Sequence, residues 1–260
     1  MQSFLDKARK ISDLVQTNNL ASESLPYHHL ALALSEVLNS NTYIIGSKGD
    51  VLGYQVKHNV NNERVNQMLE DNHMSLEYTK KLSLVTSSAD NLDIRNELTA
   101  FPKELQDELT NAYTTIIPII CFSNRLGTII LGRLDQKFTE NDLVLGEYSA
   151  TVVGLQMMNQ HNLDIEKNIQ QQLAVQMAMK TLSFTERKAV DAILKELDGR
   201  KEGRLIAATI ADKEQITRSV IVNALRKLEA SGIIETRSLG MKGTYIKIIN
   251  TEFIKHIQNY

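Results

Sequence analysis

The chain has 260 residues, of which 42% are hydrophobic and 23% charged, with a formal net charge of -2. That composition excludes a disordered polymer and suits one or two domains with a sizeable core; the near-neutral total gives no nucleic-acid signal by itself. The charge is unevenly spread, however. Residues 181–260 hold 14 Lys+Arg against 10 Asp+Glu, a net of +4, while the remainder holds 15 against 21, a net of -6. A basic module behind an acidic one points to two parts with different partners. Cys121 is the only cysteine, so no intramolecular disulfide forms, which fits a reducing cytoplasm. The start, MQSFLDKARK, has no apolar signal core, and runs such as IIPIICF are too short to span a bilayer. The expectation is a cytoplasmic protein with no membrane partner.

In chain order, Leu5, Ala8, Ile11, Leu14 and Val15 recur at helical spacing. After the break SESLPYHH, so do Leu30, Leu32, Leu34 and Val37. Two apolar runs around Ser47-Lys48-Gly49-Asp50 predict a hairpin. NNERVNQMLEDNHMSLEYTKKLSLV is helical in pattern, and SSADNLDIRNELTAFPKELQDEL reads as loop. TTIIPIICFSNRLGTIILGRL predicts a second hairpin with its turn at Ser123-Asn124-Arg125. This order describes an α+β domain of the PAS or GAF kind over residues 1–139. Residues 140–180 contain no proline and read as one long helix with Thr139 as N-cap. Leu145, Tyr148, Val152 and Leu155 step by three and four, but the seam then meets Asn159, Asn162 and Glu166. The pattern leaves a bridging helix and a long core helix both open, and argues against a continuous coiled coil.

Residues 181–260 form the second module. Ser183 with Glu186 three residues on is a capping box that starts a helix running to about Leu197. A helix over Leu205 to Lys213, a turn at Glu214-Gln215-Ile216 and a helix capped by Thr217 follow. The turn commonly carries glycine where Gln215 sits, a departure worth about 1 kcal/mol. Ile221, Ala224, Leu225 and Leu228 form the inward stripe of the last helix, closed by Ser231-Gly232. Strands over 232–236 and 244–248 flank a tip at 238–243. Helix, turn, helix and hairpin in that order describe a winged helix-turn-helix. Such a helix fits the major groove of duplex DNA and presents its N-terminal residues to base edges. The candidate contacts are Thr217, Arg218, Ser219, Val222, Asn223 and Arg226, with Arg237 and Lys242 on the wing. Arg218 suits guanine or phosphate, Asn223 adenine, Val222 a thymine methyl and Arg226 a phosphate.

ITRSVIVNALRKLE followed by SLGMKGTYIK resembles the DNA-binding end of the CodY family, nutrient-responsive transcriptional regulators of low-GC Gram-positive bacteria. LGY at Leu52, NNERVNQMLED, EYTK at Glu77, TAFP at Thr99, TTIIPI at Thr114, RLGT at Arg125 and NDLVLGEYSATVVG at Asn141 extend the resemblance over nearly the whole chain. It implies a GAF-like N-terminal effector domain, a long linker helix and a C-terminal winged helix-turn-helix domain, assembled as a homodimer or a tetramer. It also implies repression at A·T-rich operators when isoleucine, leucine or valine is abundant. Carried over by motif, Arg64 holds the effector carboxylate. Val65, Met68, Met74, Tyr78, Ala100, Phe101 and Pro102 line the apolar part, and backbone groups of Thr99 and Phe101 meet the ammonium. A guanidinium suits a carboxylate independently of any family. GTP, to which many members respond, is expected to act weakly or not at all: the turn over Gly46 to Asp50 offers only Lys48, beside the repelling Asp50, and no phosphate loop is present.

The six histidines form no HExxH pair, Cys121 has no CxxC partner and no GxSxG occurs, so neither a metal, a cofactor nor a catalytic group is expected. His28-His29 reads as a solvated loop pair and Cys121 as a buried, inert thiol. Two competing readings are a GAF-type signalling module whose winged helix binds protein, and a DNA-binding protein with no effector.

Overall fold

The computed structural model of the chain describes residues 3–17, 25–60 and 62–258. Ser22 to Ser24 of the expected break, and Asn61, lie outside them. The chain divides into two compact units, Met1–Gln160 and His161–Tyr260, described separately below.

In the first unit, helices α1 (Phe4–Thr17) and α2 (His28–Leu38) precede the hairpin of β1 (Asn41–Gly46) and β2 (Val51–Gln55). Next come the short helices α3 (Glu63–Glu70) and α4 (Leu76–Ser83), strand β3 (Ala89–Asp93), the hairpin of β4 (Ala112–Cys121) and β5 (Asn124–Leu134), and helix α5 (Glu140–Thr181). The strands form one sheet in the order β2-β1-β5-β4-β3, antiparallel throughout. Alternation along each strand sends one set of apolar side chains to each face. Ile44, Ile117, Ile119, Ile129 and Leu131 pack against α1, α2 and the start of α5. Tyr43, Ile45, Ile116 and Ile130 face the opposite way, towards Met68, Met74, Tyr78 and Leu82 of α3, α4 and their connection. Gly146 lets α5 approach the sheet, since a Cβ there would lie 2.4 Å from Ile117 Cδ1.

Several expectations shift. The second hairpin turns at Phe122 and Ser123, both left-handed (φ 47 and 65), while Asn124 and Arg125 belong to β5. This is the two-residue turn whose twist matches the flanking strands. The stretch read as loop contains β3, which pairs with β4. His28 and His29 open α2 instead of lying in a loop, and His28 Nδ1 pairs with the Tyr54 carbonyl at 3.0 Å. On α5, Leu145 turns into the core, but Tyr148 and Leu155 are exposed. Cys121 is buried, as expected.

A buried ion pair fixes the start of α5. Arg133 Nη1 lies 2.9 Å from Asp142 Oδ2, with the two side chains 7% and 11% exposed. The same guanidinium donates to the Lys137 and Leu38 carbonyls and stacks 4.1 Å from the centre of the Phe138 ring. Asp142 also accepts from the Thr139 N–H while Thr139 Oγ1 accepts from the Asp142 N–H, so the expected N-cap forms reciprocally. Burial pushes the Asp142 carboxyl up, but these bonds hold it below the usual carboxylate range.

In the second unit, the end of α5 packs with α6 (Phe184–Leu197), β6 (Glu202–Leu205), α7 (Ala207–Glu214), α8 (Arg218–Ala230), β7 (Ile234–Ser238), β8 (Thr244–Ile248) and α9 (Glu252–Gln258). The Ser183–Glu186 capping box is present on both sides. β6 replaces the expected start of a helix at Leu205: its residues are the edge of a three-stranded sheet, β6-β8-β7, specified by pairing with β8. β7 begins two residues later than expected. Gln215 is left-handed (φ 53, ψ 44), so the tight turn between α7 and α8 is made without glycine.

Replacing Arg133 by Met would leave the Asp142 carboxylate buried without its partner. The expected outcome is a loss of about 3–5 kcal/mol, read from the urea midpoint of the full chain. A loss below about 1 kcal/mol would show that the pair is peripheral to folding.

Candidate functional site

The first unit contains a cavity of about 330 Å³ beneath α3 and α4. Tyr43 of β1 and Ile130 of β5, cross-strand neighbours, form its floor. Met68, Met74 and Tyr78 are buried along its walls, with Val65, Ala100 and Leu76 beside them. Arg64 lies at the rim. Asn62 caps α3 by accepting from the Val65 N–H, and its amide reaches the Ala100 carbonyl at 3.0 Å. The helix is thereby tied to the segment from Leu98 to Phe101.

Polar chemistry converges at that segment. Arg64 Nη2 donates to the Thr99 carbonyl at 2.6 Å, with its guanidinium carbon 4.9 Å from the centre of the Tyr78 ring. Tyr78 Oη donates to the Leu98 carbonyl at 2.6 Å and lies 3.4 Å from the Thr99 carbonyl. The Ala100 N–H donates to Thr114 Oγ1, and the Phe101 N–H to Thr99 Oγ1. Burial pushes the Tyr43 and Tyr78 phenols up to about 12, although Arg64 pulls both the other way.

The structure therefore brings Arg64, Val65, Met68, Met74, Tyr78 and Ala100 around one cavity; Thr99 is not among the lining residues but is tied to it through its carbonyl's bond with Arg64. Phe101 and Pro102 do not line it. Phe101 is buried among Ile94 and Ala112, under Gly132, where a Cβ would come within 3.2 Å of its ring. It also borders a second cavity of about 320 Å³ with Asn41, His58 and Asn66. Pro102 precedes a 3₁₀ turn at Lys103–Leu105. Tyr43, Ile130, Asp71 and His73 line the first cavity without having been singled out in the sequence. Strand alternation pointed to the first two. His73 and Asp71 are placed by the Asn72 turn (φ 51) between α3 and α4. The turn Ser47–Asp50 backs this wall: Met74 N–H donates to the Gly49 carbonyl at 2.7 Å, and a Cβ on Gly49 would lie 2.8 Å from the His73 ring.

In the second unit, Arg218, Ser219, Asn223 and Arg226 are exposed along one face of α8, with Val222 half-buried between them. Ile221, Ala224, Leu225 and Leu228 fill the other face. Thr217 occupies the N-cap position, but its hydroxyl pairs with Ser219 Oγ at 2.8 Å and makes no cap bond. The nearby hydroxyl competes with the free amides of the first turn. Lys227 faces inward to the fold, 2.7 Å from Glu186 Oε2 and 2.9 Å from the Thr181 carbonyl. On the wing, Arg237 and Lys242 are exposed. Register sets Arg204, Tyr245 and Arg237 in one row across the three strands. Arg204 was not legible in that row, because β6 itself was not.

A ligand-sized cavity in a GAF-like unit and a winged helix-turn-helix with a free basic face define a ligand-responsive transcriptional regulator. The CodY GAF-like domain model matches residues 3–181, and the CodY helix-turn-helix domain model matches residues 201–260. Relatives named global transcriptional regulator CodY include those of Anoxybacillus flavithermus, 46% identical over 256 residues and 98% of each chain, and Lysinibacillus sphaericus, 46% identical over 97% of this chain and 96% of that one. The solved cofactor-binding GAF domain of CodY from Clostridium difficile is 34% identical and covers 60% of this chain and 99% of its own, with a TM-score of 0.41. The chain belongs to the CodY family. Among the described residues, no helix is long and apolar enough to cross a membrane.

The raised folded-state values of Tyr43 and Tyr78 give stability that is present in full below the ordinary phenol range near 10 and is lost as pH rises towards 12. Difference titrations against Y43F and Y78F are expected to show little tyrosinate absorbance from these two phenols at pH 11 in folded protein, with their signal appearing only towards pH 12. Ordinary titration of both near 10 would contradict the burial described.

Proposed function

We propose that the chain is a repressor of nutrient and amino-acid metabolism genes whose operator binding is strengthened by isoleucine, leucine or valine in the cavity of the first unit. The observation that carries this reading is the bond from Arg64 to the Thr99 carbonyl at the mouth of an apolar cavity. One cationic donor and one backbone acceptor stand side by side. An α-amino acid zwitterion offers the complement of each: its carboxylate takes the guanidinium and its ammonium takes the carbonyl. A branched side chain then fills the space among Met68, Met74, Ile130 and Tyr43. The volume falls at the small end of ligand pockets, about 300–1,000 Å³. Isoleucine, leucine and valine differ by a methylene or its placement, so discrimination among them is limited to about 1–3 kcal/mol.

Residues 1–139 serve as effector domain, 140–180 as linker helix and 181–260 as DNA-binding domain of a cytoplasmic homodimer. A dimer is what a palindromic operator requires, since two recognition helices must read grooves about 34 Å apart or a multiple of that. Within the first unit, the exposed Tyr148 and Leu155 of α5 offer apolar surface for such a contact. On binding, the effector shifts the segment from Arg64 to Pro102 between two states and so biases the operator-binding form; only unequal affinity for the two does this. On α8, Arg218, Ser219, Val222 and Asn223 read bases of A·T-rich DNA, and Arg226, Arg237 and Lys242 hold phosphates. GTP acts weakly or not at all in this reading, since at the turn Ser47–Asp50 Lys48 is one cation beside Asp50 and the Gly49 carbonyl is taken by the Met74 N–H.

Calorimetry is expected to show isoleucine binding that weakens roughly tenfold or more in Arg64→Ala, with no GTP binding in the low micromolar range. Isoleucine heat that is absent in wild type or unaltered in the variant would remove the sensor. Arg218→Ala is expected to weaken A·T-rich duplex binding about tenfold or more, against a background that falls steeply with salt. Binding that ignores both salt and this substitution would move the winged helix to a protein partner.

A further inference from the structure

The wing tip displays an apolar side chain where a surface that holds only phosphates has no use for one. Met241 is fully exposed, and Leu239 beside it is about one-third exposed. Their turn is braced. Leu239 N–H donates to the Gly243 carbonyl at 2.8 Å, and Lys242 and Gly243 N–H close on the Leu239 and Gly240 carbonyls at 3.2 Å each. Gly240 and Gly243 are both left-handed (φ 60 and 99). Gly243 lies against β6 so tightly that a Cβ would come within 2.2 Å of the Leu205 carbonyl. The methionine is held out from a fixed support.

The charge around it selects the partner. Residues 236–244 carry Arg237 and Lys242 and no acid. Register places Glu202 and Glu235 in a row with Lys247, two residues farther from the tip than the row of Arg204, Tyr245 and Arg237. A polyanion with an apolar slot between its charges meets both requirements, and the minor groove of duplex DNA is such a slot. Apolar side chains inserted between base steps there unstack them and bend the duplex, most easily at flexible pyrimidine–purine steps.

We propose that Met241 is a minor-groove wedge: it enters an A·T-rich groove at a TA step, Leu239 covers the adjoining sugar, and Arg237 and Lys242 hold the flanking phosphates. This rests on the reading of α8 as a DNA-binding helix. It adds a source of sequence preference that the base contacts of α8 do not supply, because the groove floor barely distinguishes A·T from T·A while the deformability of the step does.

The test uses the full chain, with isoleucine, leucine and valine present. It uses an A·T-rich palindromic duplex two to three turns long, with 2-aminopurine placed at each TA step in turn. Wild type is expected to raise fluorescence at a step outside the α8 half-site, by unstacking. Met241→Ala should abolish that rise and weaken binding about tenfold at unchanged salt dependence. Met241→Lys should bind with a steeper salt dependence and still give no rise. Wild-type binding with no rise at any step would overturn the wedge and leave the DNA reading intact. So would a rise that persists in Met241→Ala. Loss of anionic-vesicle binding in Met241→Ala with unchanged duplex binding would overturn it in favour of a membrane contact. Failure of wild type to bind any duplex would overturn both readings.

Discussion

The five-stranded sheet of the first unit is buried on both faces, and the rest of that unit follows from this constraint. Alternation makes each strand serve two layers at once. Ile129 and Leu131 support α1, α2 and α5, while Ile130 between them is part of the cavity floor. A one-residue slip of β5 would exchange those roles and destroy both layers. The cavity is therefore not an accessory carved into a finished core. It is the less completely filled side of a sheet whose other side carries the structural packing.

The second unit divides its cations between two tasks. Lys227 is spent within the fold, where its bond to Glu186 pulls that carboxyl below the usual range and completes the contact of α8 with the start of α6. Arg218 and Arg226, on the other side of the same helix, remain exposed. The difference is geometric: Lys227 lies one residue beyond Arg226, about 100° around the helix, close enough to the buried stripe to reach Glu186. Guanidiniums on the outer face keep their donors available for planar acceptors, which ammonium groups do not match as well.

Elements with strong local signals were legible in the sequence. The Ser183–Glu186 box, the stripe Ile221–Ala224–Leu225–Leu228 and the run from Glu140 to Thr181 each carry their own period or cap. What was not legible depended on distant pairing. β6 is four residues, Glu-Gly-Arg-Leu, and becomes a strand only because β8 supplies its ladder. The turn at Phe122–Ser123 has neither Asn nor Gly at its left-handed positions, so the glycine-poor sequence pulled the expectation one residue downstream. In the cavity, the motif carried Arg64, Met68, Met74 and Tyr78 to one place but also Phe101, which the hole left by Gly132 draws into a different cluster. Thr217 failed as a cap because Ser219, a side chain chosen for the outer face, took its hydroxyl.

The grip of Arg64 on the Thr99 carbonyl has a consequence for concentration scale. Donor and acceptor satisfy each other, so a solute that takes either gains only the difference between its contacts and the one it displaces. The protein's own backbone acts as a tethered rival at a fixed, high local concentration. Such rivalry raises the amount of solute needed for half-occupancy without altering which solute fits. One short bond at the rim thus sets threshold apart from choice.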